Sequence, residues 1–153
     1  MKHTIRPALK DDIPSILDVL QPFASEGIIL PRTSEEILDY LQYFFVAKKA
    51  DKICGVVSYH DYGPKLKEIR SLAVLQGETG KGLGSALVQW VSEYLIQRHP
   101  DSKIFVLTYS PDFFKKLSFE EVDKDLLPEK IWKDCQNCPN RDHCTETALI
   151  LHR

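Results

Sequence analysis

The chain has 153 residues, of which 43% are hydrophobic and 27% charged, and its formal net charge is −2. These values fit one globular domain, residues 1–153, with a core of its own. The balanced charge without a basic run gives no electrostatic support for nucleic-acid binding, and no segment has the length of a membrane span. The N-terminus is charged where a signal peptide requires an apolar stretch, so the sequence predicts a soluble cytoplasmic protein.

The N-terminal segment predicts a strand followed by a helix. Residues 3–6 have a strand pattern, and Asp11 or Asp12 can cap the helix that follows. We expect Pro22 and Gly27 to close this helix, since neither residue continues one readily. Its apolar stripe is formed by Ile13, Ile16, Leu17 and Leu20.

A second helix and three strands come next. Thr33 and Glu36 have the spacing of a capping box at a helix start. Residues 44–48, 53–60 and 66–74 are then rich in β-branched and aromatic residues and are separated by short polar turns. The sequence therefore predicts a three-stranded antiparallel meander after the second helix.

A glycine-rich turn links the third of these strands to a long amphipathic helix. Glycine allows a positive φ and a close approach of backbone to ligand, and a helix start offers unpaired N–H groups to an anion. The turn therefore predicts a site for a phosphate-bearing ligand, the alternative being a helix entry that binds nothing. The glycines are Gly77, Gly80, Gly82 and Gly84. The apolar helix face comprises Leu83, Ala86, Leu87, Trp90, Val91, Tyr94 and Leu95.

The C-terminal third predicts strands around a short helix. Residues 104–107 form a continuous apolar run, which is typical of a strand buried on both faces. A short helix at 112–117 and a strand at 119–122 follow, and 146–152 can return as a final strand. The intervening segment, 130–145, is irregular and contains three of the four cysteines.

The glycine turn resembles the Q/R-x-x-G-x-G/A signature of the GNAT acetyltransferases, in which this loop cradles the pyrophosphate of acetyl-coenzyme A. Thr79 stands where the signature has Arg or Gln, so Lys81 would supply charge instead. The resemblance implies an α/β GNAT fold, with a mixed, mostly antiparallel central sheet, helices on both faces and splayed central strands. It also implies a coenzyme site whose residues are Leu72, Ala73, Val74, Thr79, Gly80, Lys81, Gly82, Leu83, Gly84 and Ser85.

The same resemblance suggests catalytic groups. Glu68 lies on the strand before the glycine turn, where GNAT enzymes often have a general base, although by pattern alone it could be a solvated strand residue. Many GNAT enzymes carry a tyrosine acid in a motif like F-Y-x-K-L-G-F, but here Phe114 replaces that tyrosine and Ser118 the glycine. We therefore assign the acid to Tyr109, at the end of the buried strand, the alternative being a packing aromatic.

A second set of segments resembles the short amino-acid N-acetyltransferases of the N-acetylglutamate synthase type. These segments are 29–33, 35–36, 68–69, 72–74, 113–117, 130–135 and 138–139. The resemblance implies that Arg32 binds a substrate carboxylate, which suits the bidentate guanidinium fork. Arg70 shares a strand face with Glu68 and is either a second carboxylate clamp or an ion-pair partner that would lower the pKa of Glu68. Lys130 is a further candidate on the resemblance alone.

The implied function is acetyl-coenzyme A-dependent acetylation of an amino acid, with L-glutamate favoured and the first step of arginine biosynthesis as its place. The alternatives are a GNAT enzyme for another amine, such as a protein N-terminus, a polyamine or an antibiotic-like amine, and a non-catalytic acyl-coenzyme A sensor. The expected partner is a small-molecule substrate, without nucleic acid or membrane, and a homodimer is left open.

Three late cysteines have an ambiguous spacing. Cys135 and Cys138 are two residues apart, as zinc ligands often are, and Cys144 follows. A structural zinc would need a fourth ligand that the spacing does not supply. Reduced cysteines and a disulfide between Cys135 and Cys138 are the alternatives, and a zinc site is not favoured.

Overall fold

The computed structural model describes residues 3–27, 31–75, 82–123 and 147–152. Its element order confirms the predicted sequence of strands and helices, with boundaries shifted by only a few residues. That residues 1–153 form a single domain stays a prediction. The elements are β1 (Thr4–Pro7), α1 (Ile13–Ser25), α2 (Ser34–Asp39), β2 (Phe44–Lys49), β3 (Lys52–Asp61), β4 (Leu66–Val74), α3 (Leu83–Arg98), β5 (Lys103–Thr108), α4 (Pro111–Lys115), β6 (Phe119–Val122) and β7 (Thr147–Leu151).

The strands form one seven-stranded sheet in the order β1-β2-β3-β4-β5-β7-β6. Every neighbouring pair is antiparallel except β4 and β5, which run parallel. The parallel pair is joined by the long crossover through α3, as a parallel connection requires. The mixed, mostly antiparallel sheet is therefore confirmed.

The two central strands separate part-way along their length. β4 pairs with β5 from Leu66 to Ile69, opposite Lys103 to Val106, whereas β4 itself continues to Val74. Beyond Ile69 the described pairing of β4 is to β3 alone. The splayed central strands are thus confirmed, and the opening lies between the C-terminal ends of β4 and β5.

A bulge in β4 lies next to this opening. Arg70 pairs with Ser58 and Ala73 with Val56, so two residues of β4 stand opposite one of β3. Ser71 adopts a φ of 51°, in the left-handed region that non-glycine residues rarely occupy. One extra residue shifts the alternation, so Ala73 shares the face of Arg70 although three positions separate them.

Each face of the sheet carries helices, as expected. On one face α3 buries Leu87, Val91 and Leu95 against Val57 and other strand residues. On the opposite face α1 and α2 cover a second cluster. Its members include Ile16, Leu20, Ile37, Val46, Val56 and Ala73.

Close packing of α3 on the sheet depends on a glycine in β3. A Cβ at Gly55 would come within 2.8 Å of the Leu87 side chain and 3.2 Å of Leu83. A larger residue here would push aside the ends of both leucine side chains, so glycine suits the close approach of the helix. Within the described residues, no helix is long and apolar enough to cross a membrane.

Two details of α1 differ from the prediction. Pro22 does not close the helix but lies within its last turn, which continues to Ser25. Asp12 precedes the helix, yet its carboxylate makes no helix cap. It accepts hydrogen bonds from Arg6 at 2.7 and 3.1 Å and from the backbone N–H of Leu9 at 2.7 Å. Its role is to tie β1 to the start of α1.

This ion pair predicts acid-dependent stability. The hydrogen bonds from Arg6, opposed by burial, lower the pKa of Asp12. A carboxyl whose pKa is lower in the folded chain contributes stability above its unfolded pKa, about 3.9. That contribution is lost as the pH falls through the folded pKa. We expect Asp12→Asn to lower the free energy of unfolding by about 2 kcal/mol at neutral pH.

Urea denaturation at pH 7 and pH 3 measures this effect. The difference between Asp12→Asn and the unchanged chain narrows at pH 3, where the paired carboxylate is being protonated. The exposed neighbour Asp11 provides the control, since Asp11→Asn leaves the unfolding midpoint nearly unchanged. Equal decreases in the free energy of unfolding for Asp12→Asn and Asp11→Asn would contradict the assigned ion pair.

Candidate active site

Glu68 and Arg70 lie where β4 and β5 begin to separate. The backbone of Glu68 is opposite His60 of β3 and Phe105 of β5, one residue before the last parallel pair. Since side chains alternate along a strand, Glu68 and Arg70 point to the same face. The structure therefore brings together the predicted base and one predicted substrate-binding residue.

The two side chains form a buried ion pair with a tyrosine. Arg70 Nε donates to Glu68 Oε1 at 2.5 Å, and Arg70 Nη2 donates to the hydroxyl of Tyr62 at 2.5 Å. The Tyr62 hydroxyl donates in turn to Glu68 Oε1 at 3.3 Å. The Glu68 side chain is 6% exposed and that of Arg70 17%. The solvated alternative for Glu68 is therefore wrong, and the ion-pair alternative for Arg70 is confirmed.

Tyr62 is a member of this cluster that the sequence prediction missed. It follows β3, and its backbone N–H bonds to the carbonyl of Leu66 across the turn into β4. Its ring lies 4.4 Å from that of His60 and 6.0 Å from that of Phe105, between centroids. A signal existed in the sequence, because a tight hairpin at 63–64 places residues 60 and 62 beside 68 on one face.

The start of α3 is described from Gly82 onward. Gly82 has a φ of 79°, as expected for a glycine that reverses the chain before a helix. Leu83 is buried, so only its backbone could meet a ligand, while Ser85 is half-buried. A Cβ on Gly84 would lie 3.4 Å from the Phe113 ring, which brings α4 close to this turn. The predicted phosphate-binding residues Thr79, Gly80 and Lys81, with Gly77, lie outside the described residues.

The backbone of β4 beyond the divergence is the second part of the predicted coenzyme site. Leu72 and Val74 pack toward α3 and Ala73 toward α1. Their edge toward β5 lies past the described parallel pairing, which ends at Ile69. Strand-like N–H and C=O groups along this edge are suited to an extended amide-containing ligand.

Tyr109, Phe114 and Ser118, the residues considered for the acid and its motif, lie in consecutive segments after β5. Tyr109 directly follows β5 and is half-buried. Phe114 is buried, with its ring centroid 5.4 Å from that of Phe119, so it belongs to the core. Ser118 adopts a φ of 71°, which explains why a glycine suits this position in the resembling motif. The acid role of Tyr109 stays a prediction.

Arg32 immediately precedes the capping box of α2. Thr33 Oγ1 accepts from the Glu36 N–H at 3.1 Å and Glu36 Oε1 accepts from the Thr33 N–H at 3.1 Å, which confirms the predicted cap. Arg32 Nη1 lies 3.8 Å from the other Glu36 oxygen. Ile37 of α2 packs in the cluster that contains Ala73. Because Ala73 shares the sheet face of Arg70 and Glu68, Arg32 lies just before a helix that covers the face of Glu68.

The remaining predicted residues cannot be placed. Lys130 and the cysteines Cys135, Cys138 and Cys144 lie outside the described residues. Within the described ranges no group of three His, Cys, Asp or Glu residues is placed to hold a metal ion.

The structure combines a buried carboxylate, where two parallel strands separate, with a left-handed glycine at a helix start, and the family resemblance implied both features. Residues 13–119 match the model of the Acetyltransferase (GNAT) family. The chain belongs to the GNAT acetyltransferase family. It is accordingly an N-acetyltransferase, and the fold predicted from the sequence is the fold observed.

Relatives of this GNAT chain include enzymes named for amino acids. An uncharacterized N-acetyltransferase of Chlorobaculum tepidum is 38% identical over 95% of this chain and 94% of its own length. An amino-acid acetyltransferase of Mycobacterium tuberculosis is 31% identical over 87% of this chain and 77% of its own. The amino-acid acetyltransferase of Escherichia coli K12 is 28% identical over 82% of this chain, which spans only 28% of that protein.

Solved structures share the GNAT fold. N-acetylglutamate synthase of Neisseria gonorrhoeae, in complex with coenzyme A and N-acetyl-glutamate, superposes with a TM-score of 0.88 at 24% identity. That match covers all of this chain and 36% of the other. A Mycobacterium tuberculosis protein crystallised with coenzyme A gives 0.83 at 23% identity, covering 98% and 99% of the two chains. At these sequence identities, the likeness to the two solved structures shows a shared fold alone.

Proposed function

We propose that this GNAT enzyme transfers the acetyl group of acetyl-coenzyme A to the amine of an amino acid, with L-glutamate as the favoured acceptor. The buried Glu68 carboxylate at the point where β4 and β5 separate carries the proposal. It offers a proton acceptor beside the opening in which a GNAT thioester would lie. The 31% identical relative named an amino-acid acetyltransferase supports the acceptor class.

In this proposal the coenzyme binds mainly through backbone groups. The first turn of α3 offers N–H groups that have no acceptor within the helix, beside the left-handed Gly82. Leu72, Ala73 and Val74 offer the exposed edge of β4 to the pantetheine amides. Thr79, Gly80, Lys81, Gly84 and Ser85 complete the proposed site, with Lys81 providing the charge that Thr79 lacks. The structural neighbours crystallised with coenzyme A support this assignment.

The proposed reaction is a direct transfer. The amine nitrogen attacks the thioester carbonyl carbon, the new C–N bond forms, and the C–S bond breaks as coenzyme A thiolate leaves. Glu68 accepts the proton that the amine loses, directly or through one water. Tyr109 is the proposed source of the proton that the thiolate gains, although a thiolate is an adequate leaving group without it.

The acceptor is recognised by its carboxylates. Arg32 lies just before α2, with its Nη1 3.8 Å from Glu36 Oε2, and its guanidinium fork is the proposed partner of a substrate carboxylate. Arg70 is engaged with Glu68 and Tyr62, and its role as a second clamp would require it to bind the substrate through other N–H donors of its guanidinium. Lys130 is a further proposed contact. This function would place the enzyme in the cytoplasm at the first step of arginine biosynthesis.

Thiol release with a panel of amines tests the proposal. The full chain is incubated with acetyl-coenzyme A and each amine, including L-glutamate, L-glutamine, L-lysine, spermidine and a peptide with a free N-terminus. We expect the highest kcat/KM with an amino acid, and with glutamate above glutamine. Because glutamine differs only in its uncharged side chain, it is the matched control for recognition of the second carboxylate.

Other outcomes identify the alternatives. Turnover of spermidine or the peptide without turnover of any amino acid would overturn the amino-acid assignment and leave the enzyme class intact. Coenzyme binding by calorimetry without turnover of any amine would instead support an acyl-coenzyme A sensor.

A further inference from the structure

Tyr62 carries a polar group into an otherwise apolar environment. Its side chain is buried in a cluster with Phe105 and Ala148, against which Leu66 and Ile150 also pack. A hydroxyl in such a place costs free energy unless it is hydrogen-bonded, whereas a phenylalanine would fill the same space without that cost. The hydroxyl therefore requires an explanation beyond packing.

The contacts of the hydroxyl supply that explanation. It accepts from Arg70 Nη2 at 2.5 Å and donates to Glu68 Oε1 at 3.3 Å, so it bridges the two charged side chains. The Arg70 guanidinium also lies 5.7 Å from the centre of the Tyr62 ring. Glu68 Oε1 thus receives hydrogen bonds from both Tyr62 and Arg70, and the three groups fix one another's orientation.

We propose that Tyr62 is a positioning residue, which holds the Glu68 carboxylate and the Arg70 guanidinium in the arrangement needed for deprotonation of the acceptor amine. This inference rests on the proposed function, in which Glu68 is the base. The hydroxyl gives Arg70 Nη2 a neutral acceptor. Without it Glu68 Oε1 loses one of its two donors and Arg70 Nη2 loses its acceptor, so neither side chain is held in a single orientation toward the acceptor amine.

The Tyr62→Phe variant tests this role, because it removes the hydroxyl and keeps the ring. We expect kcat to fall about ten-fold, a part of the roughly 10²- to 10⁴-fold that a general base contributes, while the KM for acetyl-coenzyme A stays unchanged. The urea midpoint shows whether the variant is folded. If Tyr62→Phe fails to fold, Tyr62→Met removes the same hydroxyl with an unbranched side chain that adapts to the space beside Phe105.

Tyr59, on β3, provides a matched control. It points to the opposite face, where it stacks on Phe45 at 6.2 Å, and burial raises its pKa to about 12. Tyr59→Phe also removes one buried hydroxyl, but far from the carboxylate by sheet geometry. We expect it to retain the full kcat.

A double-mutant cycle separates positioning from general structural support. If Tyr62 acts through Glu68, the ten-fold loss disappears when Tyr62→Phe is introduced into the Glu68→Gln variant. A loss of the same size in that background, or an unchanged kcat in Tyr62→Phe alone, would overturn the inference and leave the proposed function standing. A wild-type kcat in Glu68→Gln would instead overturn the base assignment, and this inference with it.

Discussion

Replacing Glu68 with glutamine lowers kcat by a factor of about 10² to 10⁴, the usual contribution of a positioned general base. Glutamine has nearly the same shape and still offers an oxygen to Arg70 Nε. The ion pair is lost, however, and with it the proposed acceptor of the amine's proton. We expect the KM for acetyl-coenzyme A to be unchanged, because no part of the proposed coenzyme site involves this side chain.

The pH dependence gives the sharper measurement. The loss of kcat is greatest at low pH, where most of the acceptor amine is protonated and needs a base. It shrinks as the pH approaches the pKa of the free amine. If the pH profile of kcat for the variant runs parallel to that of the unchanged enzyme, Glu68 is not the general base. Glu121→Gln, on the exposed surface of β6, is the control and should retain full activity.

Glu68→Gln also needs a stability measurement. Arg70 is largely buried, and removal of one partner from a buried pair costs about 3–5 kcal/mol when the other charge is left uncompensated. The amide oxygen of glutamine and the Tyr62 hydroxyl both remain as acceptors for Arg70. We therefore expect the variant to remain folded. The loss of activity should then come from a lower kcat and not from a smaller amount of native protein.

Replacing Arg32 with alanine raises the acceptor KM by about 10- to 100-fold, since hydrogen bonds to a charged group contribute about 1.5–3 kcal/mol. The KM for acetyl-coenzyme A stays near its original value, because the proposed coenzyme site lies on β4 and α3. Steady-state kinetics with each substrate varied in turn measure both constants. Equal increases in both would mean that Arg32 supports the structure rather than the acceptor.

Two further variants refine this test. Arg32→Lys keeps the charge but loses the bidentate fork, so we expect an intermediate acceptor KM. Glu36→Gln removes the charge that lies 3.8 Å from Arg32 and retains an oxygen able to accept from the Thr33 N–H. It therefore preserves the capping box and shows whether competition from Glu36 weakens carboxylate binding; an acceptor KM no higher than that of the unchanged enzyme is expected.

Local chemistry made most of the fold predictable. The Thr33 and Glu36 capping box begins α2 as expected, because that motif satisfies backbone groups within four residues of chain. The buried stripe of α3 and the apolar run of β5 were also visible, since burial on a helix or strand face imposes a fixed period on the sequence. These features depend little on distant residues.

The features that escaped prediction depend on tertiary contacts. Pro22 stays within α1 because a proline in the last turns is tolerated when its helix is held by packing. The left-handed Ser71 has no sequence signal, as a serine there is indistinguishable from any other strand residue. Tyr62 was missed because its importance comes from two charged groups on the next strand, and only the hairpin register brings them together.

The left-handed Ser71 gives β4 two phases. Before it, Glu68 and Arg70 direct their side chains to the face that α1 and α2 cover, while after it Leu72 and Val74 direct theirs into the core under α3. One strand can therefore carry the charged groups of the proposed reaction and then the backbone edge of the proposed coenzyme site, without any change of direction. A single residue thus separates the two parts of the proposed site on β4. Deletion of Ser71 would move the side chains of residues 72–74 to the opposite faces of the sheet.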